Sequence, residues 1–513
     1  MMTWRAIVET TVPAPPAPMG EPSSKARLGG SSDTARGGGG GSPFNLPWRG
    51  RSRREVPEGA PALRSSLPAF ASLPPLPPPA SIRNPHPQIR ITYPPSSGAR
   101  NFVVLAAAFL SFLFLAAASP AHAQTIIYVN AAAAPGGNGQ TWGSAYNDLE
   151  SGLIDARALV NQGGTAQLWL AAGIYTPGTD ETFRLGSGIG IFGGFQGFES
   201  SLTQRAWRTN VTTLSGDMAN NDDPTFGNLT SFDENIAHII RMEDANAATI
   251  IDGFVFRGAN SRGAVIPSRE GHAIRIAGGR PTIRNCTFTA NVFGAGAILT
   301  TGVSGATIEY CSFVSNRDTY LYGGGALYVD FGLLGVLMSS CLIHGNTSVH
   351  DEYPVTTAIR CRPGTLRPVI RNCTISHNGA PNNPNGGVAV TEAQLENCIV
   401  WGNSWGAVTG EVAQIQVPGV STFQCLVQGW SGLAGGAGNS GSDPAFADVA
   451  GADDMIGTAD DDLHLSAGSI AIDSGDNGSL ASDAFFDLDG RFRVFDGDGD
   501  GTPIVDRGCF CLL

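Results

Sequence analysis

After residue 165 the hydrophobic residues come in short runs, cut by glycine, asparagine and single polar positions. Runs such as T-I-R (Thr282–Arg284) and T-F-T (Thr287–Thr289) alternate with a period of two, which predicts strands with one buried face. A helical period is sustained once. Tyr146, Leu149, Leu153, Ala156 and Val160 predict one helix, with Ser144 or Asn147 as N-cap and Gly163-Gly164 as the stop. TIIYV (Thr125–Val129) reads as a strand before it. AQLWLAAGIY (Ala166–Tyr175) and FRLGSGIGIFGGF (Phe183–Phe195) open the strand-rich part.

The strands repeat. PTIRNCTFTAN (Pro281–Asn291) returns as PVIRNCTISHN (Pro368–Asn378), and the phrase C-x-x-x-x-N occurs at Cys286/Asn291, Cys311/Asn316, Cys341/Asn346, Cys373/Asn378 and Cys398/Asn403. Cys425 repeats the cysteine without the asparagine, and Gly253 in IIDGFVF is expected at the cysteine station upstream. Successive cysteines lie 25, 30, 32, 25 and 27 residues apart. Each unit carries a further strand after a glycine turn, such as GHAIRI (Gly271–Ile276) and GGGALYV (Gly323–Val329). So short a unit cannot bury its apolar face alone, but it can if the chain coils and each turn stacks on the last at about 4.8 Å. Parallel crossovers are right-handed. The prediction is an all-β, right-handed parallel β-helix of about ten coils over 165–432, with 124–164 as an N-terminal strand and capping helix.

Within T-I-R-N-C-T-F, Ile283, Cys286 and Phe288 point inward, and Asn285 takes a corner where positive φ is easiest for asparagine. Asn372 and Asn397 take the same corner, and amides stacked coil on coil are expected to form a ladder there. Cys286, Cys311, Cys341, Cys373, Cys398 and Cys425 form a column of free thiols, since in-register stacking exceeds the Cβ separation of disulfides, about 3.5–4.5 Å. The recurring phrase is scaffold.

Composition divides the rest. Residues 1–100 are rich in Pro, Gly, Ser and Arg, which predicts a disordered extension or a start codon placed too early. At 101–123 an apolar core, Phe102–Ala118 broken only by Ser111, precedes Ala121-His122-Ala123. That is a secretory signal peptide cleaved near Ala123-Gln124, and it predicts a secreted or cell-surface protein. Residues 124–513 carry 19 Lys+Arg against 39 Asp+Glu, and Lys25 is the chain's single lysine. So acidic a chain repels nucleic acid and anionic polymers unless a cation bridges them.

GAGAI with FTAN (Phe288–Asn291) and GGGAL with FVSN (Phe313–Asn316) resemble the GGAI/FxxN repeats of polymorphic outer-membrane proteins, a β-helical adhesin family. IYVNAAAAPGGNGQTWGSAYNDLESGL (Ile127–Leu153), GGFQGFESSLTQR (Gly193–Arg205) and DLHLSAGSIAIDSGDN (Asp462–Asn477) resemble exported pectate-lyase-like β-helix proteins with a "choice-of-anchor" C-terminal region. The resemblance implies export, a groove along one strand row, and an acidic anchoring-like region over 433–513 that attaches to the cell envelope. Members of that type end in something like D-G-A-Y-E. Asp506-Arg507-Gly508-Cys509-Phe510-Cys511 departs from it, which predicts a frayed, truncated or divergent end.

Arg275, Leu299, Tyr328, Arg360 and Ala389 or Val390 are expected to face solvent along the groove. A glycosidase needs two carboxylates about 5–5.5 Å or 6.5–9.5 Å apart. The nearest candidates, Asp330 and Glu392, stand two coils apart, roughly 9–10 Å by stacking. A lyase of this fold implies a Lys or Arg base and calcium, leaving Arg360 beside Tyr328 as the candidate centre. Tyr320, Tyr322, Tyr353, Trp401 and Trp405 form a candidate aromatic strip for stacking on sugars or another surface. DGDGDG places Asp496, Asp498 and Asp500 at the spacing of a calcium loop, to which Asp487 or Asp489 could add; Arg507 stands where an EF-hand needs Glu. The histidines show no metal spacing, and Asp460-Asp461-Asp462 reads as a solvated turn. The functional expectation is a non-catalytic module that binds polysaccharide or a cell-surface component, with a polysaccharide lyase or glycoside hydrolase as the alternative.

Overall fold

A computed structural model describes residues 124–178, 182–260, 272–293, 296–318, 323–330, 332–349, 355–380, 387–458, 460–480 and 484–512. Residues 1–123, where a disordered extension and a signal peptide are expected, and Tyr320, Tyr322 and Tyr353 lie outside them.

The chain is a right-handed parallel β-helix. Among the described residues its coils stack into parallel sheets of ten, nine, seven and five strands. One coil shows the rule. Thr282–Arg284 joins the ten-stranded sheet, Thr287–Thr289 the nine-stranded, Val292–Phe293 the five-stranded and Ile298–Thr301 the seven-stranded. Single residues with positive φ turn the corners: Asn285 (53°), Tyr310 (53°), Ser340 (51°), Asn372 (50°), Asn397 (53°) and Gln424 (53°). Gly253 (85°) holds this corner in the coil above, because Asp252 pairs with Arg284 in register; Phe254, buried, takes the cysteine station expected for Gly253.

Inward residues stack like on like. Phe256, Phe288 and Phe313 lie ring on ring with centroids 4.7 Å apart, and Ile343, Ile375 and Val400 continue the row. Cys286, Cys311, Cys341, Cys373, Cys398 and Cys425 are buried free thiols. The backbone N–H groups of Cys311, Cys341 and Cys398 each point at the next sulfur, 3.4 Å away.

The amide ladder runs on the other asparagine of the repeat. Nδ2 of Asn291, Asn316, Asn346 and Asn378 each donates to Oδ1 of the next asparagine at 2.8–2.9 Å, and Asn403 hands on to Gln414. The Asn285 corner builds no such ladder, since Tyr310 and Ser340 interrupt it. Asn285 donates to Asp252 instead, and Asn372 and Asn397 donate to Asp506 O and Asp476 O.

The helix α1 spans Leu149–Asn161 and covers the N-terminal end of the core with Leu149, Leu153 and Ala156. Asp148 is its N-cap, accepting from Ser151 N; Ser144 belongs to a separate 3-10 turn.

Residues beyond 443 pack back against the outer face of the nine-stranded sheet. Val314 and Leu342 on that face meet Leu463, Leu488, Cys509 and Phe510; Ile399 and Leu426 meet Leu465, Ala471 and Ile472. Arg493, fully buried, donates to Gly508 O, Cys509 O, Asn372 O and Ser340 Oγ. Asp506 accepts from Asp473 N and Leu512 N, and Asp487 from Cys511 N. Residues 506–511 are therefore buried and bonded rather than frayed. Asp461 is not a solvated turn residue either: its side chain is buried against His344 Nε2 at 2.6 Å.

Candidate functional site

The row expected to face solvent is partly closed: Leu299 and Tyr328 are buried and pack on each other, and Val390 pairs with inward Ile359. Arg360 lies over the Tyr328 ring at 5.7 Å. Asp330 is bound to Arg362 and Glu392 to Arg367, each at 3.0 Å. These pairs sit on different turns and leave neither carboxylate poised beside the other. Of the aromatic strip, Trp401 ends a strand of the nine-stranded sheet and packs against the Ile399, Leu426 and Leu465 cluster, while Trp405 lies in the five-stranded sheet. They do not form one strip.

A hollow among the described residues lies elsewhere. A cleft of about 300 Å³ opens on the outer face of the nine-stranded sheet and runs into a second hollow of about 250 Å³. Its floor is the register row Val255, Thr287, Ser312 and Leu342 from successive coils. Trp207 and Arg208 form one wall, Leu488, Asp489 and Phe510 the other, and Tyr310 and Phe486 reach its mouth. The Trp207 loop is held down by Ala206 N donating to Gly194 O. A side chain at Gly194, whose φ is 94°, would meet Trp207 Cα at 2.5 Å, so only glycine admits this approach. Beneath the loop Asp252, fully buried, receives Arg205 at 2.6 Å, Arg284 at 2.7 Å and Asn285 Nδ2 at 2.8 Å.

The charges at the walls are occupied. The Arg208 guanidinium stacks on Trp207 at 4.1 Å and donates to Leu488 O, bridging the walls. Asp489 accepts from His464 at 2.7 Å with Arg491 at 3.6 Å, and the His464 bond holds its carboxyl below the ordinary range. What remains is a mixed surface of rings, hydroxyls and amides, suited to stacking and hydrogen bonding rather than proton transfer.

Among the described residues three carboxylate clusters could hold a cation, one of them Asp453, Asp460 and Asp461. Asp473, Asp496 and Asp498 converge. Asp500 is not in that cluster; Asp487, buried, accepts from Cys511 N and Asp489 accepts from His464, while Asp473, distant in sequence, stands with Asp496 and Asp498. Asp217, Asp222 and Glu234 form the third; burial first, then the charges of Asp217 and Glu234, pushes Asp222 up to about 7 against a bond from Asn235.

Residues 238–420 match the family model of the right handed beta helix region. No curated protein matches the chain. Among solved structures, a putative glycosyl hydrolase from Parabacteroides merdae is 11% identical with a TM-score of 0.21, covering 54% of this chain and 88% of its own. The pectin methylesterase of Aspergillus niger is 12% identical with a TM-score of 0.24, covering 58% and 85%. The A-module of the mannuronan C-5 epimerase of Azotobacter vinelandii is 13% identical with a TM-score of 0.18, covering 57% and 99%. At these values the likeness carries no argument about activity.

The cleft was missed in the sequence because its walls come from segments about 280 residues apart, such as Arg208 and Leu488. One signal was there. C-L-I-H (Cys341–His344) and C-I-V-W (Cys398–Trp401) are apolar at outward as well as inward positions, the pattern of a strand covered on both faces.

Proposed function

We propose that the protein is a secreted or surface-exposed β-helix that binds carbohydrate or another surface component without turning it over. The observation that carries this reading is the cleft itself: Trp207 and Tyr310 bring aromatic rings, Thr287 and Ser312 bring hydroxyls, Asp489 is held by His464 and Arg491, and Asp487 by backbone N–H groups. Attachment to the cell envelope belongs to the same reading, supported by the C-terminal segment, where Phe485, Phe492 and Phe495 are more than half exposed. Calcium belongs to it through Asp473, Asp496 and Asp498.

The test is retention of the purified protein on a panel of immobilised polysaccharides, with product analysis on the same samples. Retention on at least one glycan is expected, weakened about tenfold or more in Trp207→Ala, since a stacking tryptophan is worth about 2 kcal/mol at such a contact. New reducing ends or unsaturated products, lost in Arg360→Ala or Asp330→Ala, would establish the enzyme instead. Retention on no glycan would remove carbohydrate from the reading.

A further inference from the structure

Three stretches of the C-terminal segment meet at one imidazole. His464 stands in the strand Asp462–Leu465. Its Nδ1 lies 2.6 Å from Asp462 Oδ1, its Nε2 lies 2.7 Å from Asp489 Oδ2, and its ring centroid is 4.2 Å from that of Phe510. Asp489 and Phe510 are cleft wall. A neutral imidazole carries one N–H, whereas two ionised carboxylates can only accept. Both short contacts are made together by the imidazolium alone.

We infer that protonated His464 is the positioning residue of the cleft, a clamp that ties the strand at 462–465 to the Asp489 loop and the Phe510 tail and lets that wall loosen when its proton leaves. The inference rests on the binding reading only for the cleft's use; the clamp itself can be tested without a ligand.

The groups that face the ring come from every element packed on it. Asp462 is on its own strand, Asp489 is on the 487–491 loop with Arg491 at 3.6 Å behind it, and Arg208 acts on Asp489 from the opposite wall. The tail presents Phe510. The Asp489 bond, partly opposed by burial and helped by Asp462, raises His464 above its ordinary value. Asp462 is lowered, its bonds from His464 outweighing burial. A group raised on folding contributes stability that is complete below its unfolded value, about 6.5, and lost as pH rises through the folded value. The clamp is therefore closed in mild acid and open in base. His344, on the strand Leu342–His344 of the nine-stranded sheet and bound to Asp461, is shifted the opposite way by burial.

The experiment is hydrogen exchange on the full chain at about pH 6 and about pH 9, corrected for the intrinsic rate. Protection over 484–512 should fall about tenfold or more at the higher pH while protection over 282–427 is unchanged. His464→Gln, which keeps a polar planar side chain and no charge, should show the low value at both. Equal protection over 484–512 at both pH values in the native chain, or a pH step that survives in His464→Gln, overturns the clamp. Protection over 282–427 reports whether the variant folds, and should it fail to, the native chain's own pH profile decides. Glycan retention at about pH 6 is scored separately, so a failed binding reading and a failed clamp are distinguishable.

Discussion

Asn346 offers the sharpest test of how this solenoid holds together. It is fully buried. Its Oδ1 accepts from the backbone N–H of Asn316 at 3.1 Å and from Asn316 Nδ2 at 2.8 Å; its Nδ2 donates to Phe313 O at 2.9 Å and Asn378 Oδ1 at 2.8 Å. Asn346→Leu removes all four bonds at similar volume. Asn316 Nδ2 keeps Phe288 O, and Asn378 Oδ1 keeps the backbone N–H of residue 346, but the N–H of buried Asn316 loses its side-chain acceptor. An orphaned buried donor costs about 1–3 kcal/mol and each other lost bond about 1 kcal/mol, while burying leucine returns about 1.5–3 kcal/mol. The net is a loss of about 3 kcal/mol, a factor of roughly a hundred in the folding equilibrium. Asn346→Asp should cost more, because it places a carboxylate in that dry row facing Asn378 Oδ1. Equilibrium urea unfolding, followed by tryptophan fluorescence and circular dichroism, measures both. An Asn346→Leu chain within about 1 kcal/mol of the native one, or less stable than Asn346→Asp, refutes the ladder as a source of stability.

Two further outcomes are expected. Burial pushes the thiols of Cys311, Cys341, Cys373, Cys398 and Cys425 well above the ordinary range, so they should stay unreactive to a thiol reagent at neutral pH until the chain unfolds; fast native labelling of these residues would contradict the buried column. Calcium should raise the melting temperature and EDTA reverse it, with the response lost in Asp473→Asn; a melting curve indifferent to both removes that cation from the account.

The sequence carried the solenoid because each coil is a local statement repeated. The spacing of Cys286, Cys311 and Cys341 names a rung, and Phe288 under Phe313 follows from that spacing with no further information. Which asparagine forms the ladder was less legible. Both are conspicuous in R-N-C-T-F-T-A-N, but only Asn291 recurs at every rung from Asn291 to Asn403, and a hydrogen-bonded row needs a member on each rung. Asn285 is interrupted by Tyr310 and Ser340, which take the same φ without an amide to pass on.

The candidate site was illegible for the opposite reason: it is made by a contact that no repeat encodes. Segment 433–513 reads as an acidic region, rich in Asp and Gly. What they hide is the inner side, where Leu463, Leu465, Leu488 and Phe510 meet outward-facing Val314, Leu342, Ile399 and Leu426. A parallel β-helix leaves the outer face of each sheet to solvent unless something covers it, so apolar residues at outward stations ask for a cover. Between Val255 and Ser312 the row turns polar and the cover stands away from the sheet, with Trp207 opposite Leu488. The cleft is thus the place where one sheet face changes from apolar to hydroxyl-bearing. Its position follows from side chains on the coils, and its shape from a tail packed on that face, within which His464 joins Asp462 to Asp489.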